Sequence, residues 1–265
     1  MPQALIALFL ALTAFGGRAD AAEIYSQKHP SGWTWIFIVG KIELGDDKRF
    51  KDVLLENARK HVMISSVALY SPGGAVEPAI RIGRYIHTMR IATIGPYSFK
   101  PILNIVNCPY NNGKLARYDL KTGRGDPSCT CASACFLIWA AGLGADAHND
   151  NVQPRIQIHR IAFDRQIYAN LSVEQAQAKY ESAEARLVAY LKDMDVPPSV
   201  IRRMFSIPSS SISYLTVDEL KMMRGALPPY LAELYDAKCG KNQKCRDDFE
   251  ERLYFETVPK LEEMN

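Results

Sequence analysis

In the first half of the chain, apolar runs typical of strands alternate with segments whose apolar residues have the spacing of a helix. This pattern predicts an α/β fold. Apolar and aromatic runs at Trp33–Val39, Val62–Tyr70 and Arg90–Ile94 predict strands. Between these runs, Lys48–Lys60 and Ala75–Met89 carry apolar residues at helical spacing. Strands that alternate with helices imply parallel pairing through right-handed crossovers.

The second half of the chain adds longer helices to this pattern. Cys131–Leu143 is almost wholly apolar and predicts a buried helix, whereas Arg155–Ile161 alternates in the way a half-buried strand does. Ser172 and Gln175 have the spacing of a capping box and predict a helix that continues to about Lys192. At about 1.5 Å per residue this helix would be about 30 Å long, so we expect it to project from the domain.

Composition divides the chain into three parts. Residues 1–22 join an apolar run to a stretch of small residues and predict a secretory signal peptide. Residues 23–227 form the main predicted domain, and Gly95–Ser128 within it is rich in proline, glycine and asparagine, which predicts an inserted loop. Residues 228–265 are charged and helical in composition, so we expect a helical C-terminal tail.

Charge and hydropathy exclude some classes of function. The net charge of +3 comes from 32 basic and 29 acidic residues spread along the chain, so the sequence has no basic patch typical of a nucleic-acid-binding protein. An apolar content of 48% is enough for a substantial core. After the signal peptide no apolar segment reaches the roughly 20 residues of a membrane span, so we expect no membrane contact once it is removed.

The six cysteines all follow the signal peptide, which fits an oxidising compartment and predicts a periplasmic or secreted protein. Cys239 and Cys245 bracket a short polar loop that a disulfide could close. Cys108 brackets a longer polar stretch with either Cys129 or Cys131, and the sequence leaves that choice open.

Zinc binding is the alternative for Cys129, Cys131 and Cys135. Their spacing lacks the two-residue gap that is usual in zinc knuckles, and no histidine follows at a matching interval. We therefore expect no metal at these cysteines.

Three features could together support acyl transfer. Ser133 opens the predicted buried helix, where backbone dipoles favour negative charge on a nucleophile. His159 lies in the alternating strand and is the candidate general base. The glycine turn Ser71–Gly74 follows a strand, so the Gly73 amide, with that of Ala134, could bind a tetrahedral oxyanion. Each feature also has a purely structural alternative. Ser133 would then be a helix N-cap, His159 an ordinary strand residue and Ser71–Gly74 an ordinary turn.

The order of the SPGG turn, the CASAC serine and His159 resembles that of the Clp protease proteolytic subunit and its secreted relatives, over Trp33 to Leu227. The resemblance implies a ClpP/crotonase-like fold, an α/β spiral of strand-strand-helix units with a long projecting helix. It implies serine-peptidase chemistry without a cofactor on a peptide or protein substrate, with Ser133 as nucleophile, His159 as base, and the Gly73 and Ala134 amides as oxyanion hole. The projecting helix would match the helix through which the family oligomerises, so a homo-oligomer is expected.

The resemblance is incomplete at the third catalytic position. The residue at the position of the family's orienting aspartate is Ile212, and Ser211 or Ser213 is the candidate to orient His159 instead. A hydroxyl stabilises an imidazolium less than a carboxylate does, so such a site should be slower. Two alternatives follow: a serine-lysine dyad with Lys179, and a non-catalytic relative that binds a peptide or partner.

Overall fold

The computed structural model describes residues 21–29, 32–99, 105–111, 114–119, 121–124, 129–143, 152–163, 165–223 and 228–264. Its strands are β1 Glu23–Lys28, β2 Thr34–Val39, β3 Ile64–Tyr70, β4 Ala92–Ile94, β5 Tyr97–Phe99, β6 Ile105–Asn111, β7 Lys114–Asp119, β8 Cys131–Ala132, β9 Val152–Pro154, β10 Ile156–Ile158 and β11 Ser213–Tyr214. Its helices are α1 Asp46–Arg59, α2 Val76–Met89, α3 Ala134–Trp139, α4 Arg165–Ala169, α5 Val173–Asp193, α6 Pro198–Ser206, α7 Val217–Met223, α8 Pro229–Cys239 and α9 Gln243–Glu263. The protein is therefore mixed α/β, as the apolar periods predict.

The main sheet has the strand order β1-β2-β3-β4. Strands β2, β3 and β4 are parallel to one another, and α1 and α2 provide the crossovers between them, which confirms the predicted strand–helix–strand pattern. Strand β1 pairs antiparallel with β2 at the sheet edge. Its mixed polar composition gave no strand signal in the sequence.

Both faces of the main sheet are covered. Ile36 and Ile38 belong to the main core, which also contains residues of α1, α2 and α3. Phe37, between them, belongs to a smaller core with Val106 and Cys108 of β6. Successive side chains of a strand point to opposite faces, so helices cover one face of the sheet and β6 covers the other.

The region Gly95–Ser128 is more ordered than the predicted loop, because its described part forms three strands. They belong to a sheet of order β7-β6-β5-β9, in which every neighbouring pair is antiparallel. Pro109 lies where the β6–β7 register shifts, between Cys108 and Asn111. Proline has no backbone N–H to donate and is tolerated at such irregularities. A proline-rich composition therefore did not exclude strands here.

The C-terminal region is helical as predicted, but α9 packs into the main core instead of forming a separate tail. Tyr254 and Leu261 of α9 are buried members of that core. Arg90 at the end of α2 donates to the Leu253 carbonyl at 3.0 Å and to Thr257 Oγ1 at 2.8 Å. The apolar positions of α9 are too sparse for its charged sequence to reveal this packing.

Helix α5 is anchored by its C-terminal half. Its buried residues are Leu187, Tyr190 and Leu191, and the Tyr190 hydroxyl donates to the Leu137 carbonyl of α3 at 2.8 Å. Burial raises the pKa of Tyr190 far above its ordinary value, so the hydroxyl remains a donor. Residues 173–186 are exposed or only partly buried; within them the Ala176 carbonyl accepts from the Tyr168 hydroxyl at 3.0 Å, and the Tyr180 ring lies beside Phe163.

Most of the predicted signal peptide, residues 1–20, lies outside the described residues. Ala21 pairs with Lys41, and the Ala22 side chain is fully buried in the main core. None of the helices in the described ranges combines the length and the apolar composition that a membrane crossing requires.

Candidate functional site

Three parallel strands end at the same place and bring the predicted site residues together. Strand β3 is prolonged by Ser71, which bridges in parallel to Cys131 of β8. Strand β8 in turn pairs in parallel with β10, with Ile156 opposite Cys131. Carboxyl ends of neighbouring parallel strands meet at one edge of a sheet, so the residues that follow β3, β8 and β10 are neighbours. These are the SPGG turn, Ser133 and His159.

Ser133 forms a sharp turn between β8 and α3. Its φ is 57° and its ψ is −122°, a conformation that residues with a Cβ seldom adopt. Its N–H donates to the Gln157 carbonyl at 3.2 Å, and its side chain makes no capping hydrogen bond to α3. An N-cap serine normally has an extended backbone, and its Oγ accepts a hydrogen bond from the N–H of the second or third helical residue. The interpretation of Ser133 as a simple N-cap is therefore wrong.

Helix α3 begins later and ends earlier than predicted. Cys131 and Ala132 were expected to be helical, but they pair with β10, and α3 has only six residues, Ala134–Trp139. The pairing with a neighbouring strand overrides the local apolar pattern. So short a helix has a small dipole, and little of any activation of Ser133 can come from it.

Gly73 lies directly against Ser133. A Cβ added to Gly73 would be 2.6 Å from the Ser133 Cβ and 3.0 Å from the Ala134 nitrogen. Gly73 also has a φ of 100°, so both space and backbone require glycine. The two amides expected to form an oxyanion hole are thus adjacent, but the Gly73 N–H donates to the Ser71 Oγ at 3.1 Å in this structure.

His159 follows the last residue of β10 and is half-buried. Its Nδ1 lies 2.7 Å from the carbonyl oxygen of Arg160. A carbonyl oxygen can only accept, so this contact is a hydrogen bond when Nδ1 carries the proton, and in that tautomer Nε2 is an acceptor. A general base needs this tautomer.

The residues expected to orient His159 lie in or beside β11, the strand that pairs with β10. In the β10–β11 pairing Ile158 is opposite Ser213, so the next pair would set His159 opposite Ile212, whose side chain is exposed. The Ser213 Oγ accepts a hydrogen bond from Arg203 Nη2 at 2.6 Å, and Ser211 is exposed. Ser213 Oγ thus accepts from Arg203, and its orienting role stays a prediction.

Arg203 fixes the strand next to β10, a role that the sequence did not reveal. Besides Ser213, it donates to the Tyr214 carbonyl at 2.9 Å and pairs with the Glu219 carboxylate at 2.5 Å. Burial alone would raise the pKa of Glu219, but hydrogen bonds from Thr216 and Arg203 outweigh it and lower the pKa below its ordinary value. Thr216 and Glu219 form a capping box at the start of α7, because the Thr216 N–H donates to Glu219 Oε2 at 2.7 Å and the Glu219 N–H donates to Thr216 Oγ1 at 3.2 Å.

Three disulfides are present, and one of them encloses the nucleophile candidate. Cys239–Cys245 confirms a predicted pair, and Cys108–Cys129 decides between the two partners that the sequence left open for Cys108. The third, Cys131–Cys135, was not predicted; three residues lie between its cysteines, and Ser133 is the middle one. The cysteines considered as zinc ligands are all in disulfides, and nowhere in the described ranges do three His, Cys, Asp or Glu side chains group around a metal-sized site.

The alternative base, Lys179, lies in the exposed half of α5. The hydrogen bond from Tyr190 to α3 lies in the other half of that helix. The serine-lysine dyad stays a prediction.

Comparison with known proteins gives no family for the chain: no protein-family profile matches it, and no curated protein matches significantly.

Proposed function

We propose that this protein is a secreted or periplasmic serine-peptidase-like hydrolase with a ClpP/crotonase-like arrangement of its strands, acting on peptide or protein substrates without a cofactor. Ser133 is the nucleophile and His159 the general base. The three disulfides support an oxidising compartment. The exposed half of α5 supports its proposed role in forming a homo-oligomer.

The backbone of Ser133 is the observation that carries the proposal. A serine on a sharp turn from a strand into a helix holds its Oγ away from the helix and open to a substrate. Ser133 has this turn, its side chain is not used as a cap, and the residue is only half-buried. A serine with a purely structural role has no need of so unfavourable a backbone conformation.

The proposed reaction follows from the positions of these groups. Ser133 Oγ attacks the carbonyl carbon of the substrate while His159 Nε2 takes the hydroxyl proton. The oxyanion that forms accepts hydrogen bonds from the Ala134 N–H and, once Ser71 Oγ releases it, from the Gly73 N–H. His159 then gives its proton to the leaving amine, and water hydrolyses the acyl-enzyme with His159 again as base.

A peptide- or partner-binding protein without catalysis is the second candidate. Ile212 in place of a carboxylate favours it, as does the hydrogen bond that occupies the Gly73 amide. In such a protein the turn at Ser133 would be retained as part of a binding edge.

Labelling with a fluorescent fluorophosphonate distinguishes the two candidates. We expect stoichiometric modification of the folded, signal-processed protein, and loss of modification in Ser133→Ala. Ser172→Ala is the matched control, since Ser172 also precedes a helix but caps it, and this variant should be modified at the wild-type rate. No modification of the folded wild-type protein would favour the binding protein.

A further inference from the structure

The Cys131–Cys135 disulfide ties together the two elements that the Ser133 turn connects. Cys131 is held in β8 by its pairing with Ile156, and Cys135 lies in the first turn of α3. Both cysteines are fully buried, and their Cα atoms are 5.2 Å apart. Only Ala132, Ser133 and Ala134 lie inside the covalent loop, so the disulfide acts directly on the backbone of Ser133.

The turn at Ser133 needs such support. A positive φ is sparsely populated for a residue with a Cβ and persists only where the surrounding structure holds it. Two backbone hydrogen bonds fix the turn, from Ser133 N–H to the Gln157 carbonyl at 3.2 Å and from Phe136 N–H to the Ser133 carbonyl at 3.0 Å. Gly73 closes the remaining side. The disulfide adds the one covalent restraint across the turn.

A general contribution to stability does not explain this disulfide well. Its sequence separation is 4, against 6 for Cys239–Cys245 and 21 for Cys108–Cys129. A disulfide restricts the unfolded chain less as the loop that it closes becomes shorter. The smallest loop in the protein is therefore expected to add the least stability, which leaves local geometry as its main effect.

We infer that the Cys131–Cys135 disulfide is a positioning element that holds Ser133 in the backbone conformation presenting its Oγ for reaction. The expected effect on the reaction rate rests on the proposed function. The expected effect on the backbone of Ser133 rests only on the observed turn. Without the disulfide, Ser133 moves toward negative φ, its Oγ leaves the edge shared with His159, and substrate still binds but reacts slowly.

The test compares two variants that each lose one short disulfide. Cys131→Ala/Cys135→Ala removes the restraint at Ser133, and Cys239→Ala/Cys245→Ala removes a loop of similar size between α8 and α9. For each we would measure the rate of fluorophosphonate labelling, kcat and KM on a chromogenic ester, and the thermal midpoint. We expect labelling and kcat to fall at least tenfold in the first variant with KM unchanged. The control should keep both at wild-type values.

Other outcomes overturn the inference. Labelling at the wild-type rate by the folded Cys131→Ala/Cys135→Ala variant would show that the turn needs no disulfide. If that variant does not fold, the better-filled Cys131→Val/Cys135→Ala pair is measured; failure of both to fold would make the disulfide an element of stability. If the wild-type protein is never labelled, the proposed function fails. Crystal structures of wild type and variant then test separately whether the disulfide holds the backbone of Ser133. A Ser133 φ still near 57° in the variant would contradict positioning.

Discussion

Ser133 and Ser172 each precede a helix, and their surroundings differ in almost every respect. Ser172 precedes α5 with a φ of −69°, its Oγ accepts from the Gln175 N–H, and the Gln175 side chain completes a capping box. Ser133 precedes α3 with a φ of 57°, and its Oγ caps nothing. Ser172 is exposed at the start of the 21-residue helix α5, whereas Ser133 lies at an edge where three strands end.

The difference shows what each serine is suited for. A capping serine uses its hydroxyl to satisfy an N–H that the helix leaves without a partner, so the hydroxyl is committed to structure. Ser133 is held in place by its backbone, by Gly73 and by a disulfide, so its hydroxyl is available for chemistry. Conformation, more than residue type or position before a helix, separates the two roles.

Alanine at each serine should give opposite results. Ser133→Ala is expected to lower esterase or peptidase activity by about 10³-fold or more with little change in the free energy of unfolding, because it removes the nucleophile and no cap. Ser172→Ala should leave activity unchanged and lower the free energy of unfolding by about 1 kcal/mol. Steady-state kinetics and urea unfolding of both variants measure this, and similar effects at the two sites would remove the distinction.

Replacing His159 tests whether the edge of the sheet supplies a base. His159→Gln should reduce kcat by about 10²- to 10⁴-fold, the usual contribution of a general base, with KM little changed. His87→Gln, in the last turn of α2, is the control and should retain full activity. A His159→Gln variant with wild-type kcat would mean that Ser133 is activated by another group.

Two glycines separate backbone strain from close contact at the site. Gly32 has a φ of 93° with open space around it, whereas Gly73 has a φ of 100° and lies against Ser133. Gly32→Ala should lower the free energy of unfolding by about 1–2 kcal/mol through strain alone. Gly73→Ala should lower it by about 1–3 kcal/mol more through overpacking. Equal losses in urea unfolding would show that the contact with Ser133 is loose.

A third helix start, at Thr216, gives the smallest expected effect and depends on pH. Because the pKa of Glu219 is lowered in the folded protein, its carboxylate stabilises the fold above the ordinary pKa, and this contribution is lost as pH falls through the folded value. Glu219→Gln should lower the free energy of unfolding by about 1 kcal/mol at pH 7. The loss should fade below about pH 4. A loss that does not change with pH would exclude the charge as its cause.

Local patterns in the sequence predicted the local features of this fold. The parallel β2–β3–β4 unit, the capping box at Ser172 and the Cys239–Cys245 disulfide all depend on residues close together in the chain. Ser133 could be singled out because a small polar residue opens an apolar run. Its unusual backbone could not, because β8 forms only when Cys131 pairs with residues far along the chain.

The features that the sequence missed depend on long-range contacts. The burial of α9 requires α1 and α2 beneath it, and the Arg203 contacts require β11 to lie beside β10. The contact between His159 Nδ1 and the Arg160 carbonyl depends on the backbone conformation just after β10. The alternation of side chains along the strand does not specify that conformation. The CxxxC spacing of Cys131 and Cys135 was the one signal of the third disulfide. It was missed because both cysteines were assigned to the predicted helix.

A crystal structure of the protein after reaction with a phosphonofluoridate tests the central claim most directly. We predict one adduct, bonded to Ser133 Oγ, with its phosphoryl oxygen accepting from the Ala134 N–H and His159 Nε2 on the opposite side within hydrogen-bond reach. The Gly73 N–H should have left Ser71 Oγ to bind the same oxygen. An adduct on another residue, or a phosphoryl oxygen pointing away from Ala134 with His159 more than about 6 Å from Ser133 Oγ, would contradict the account.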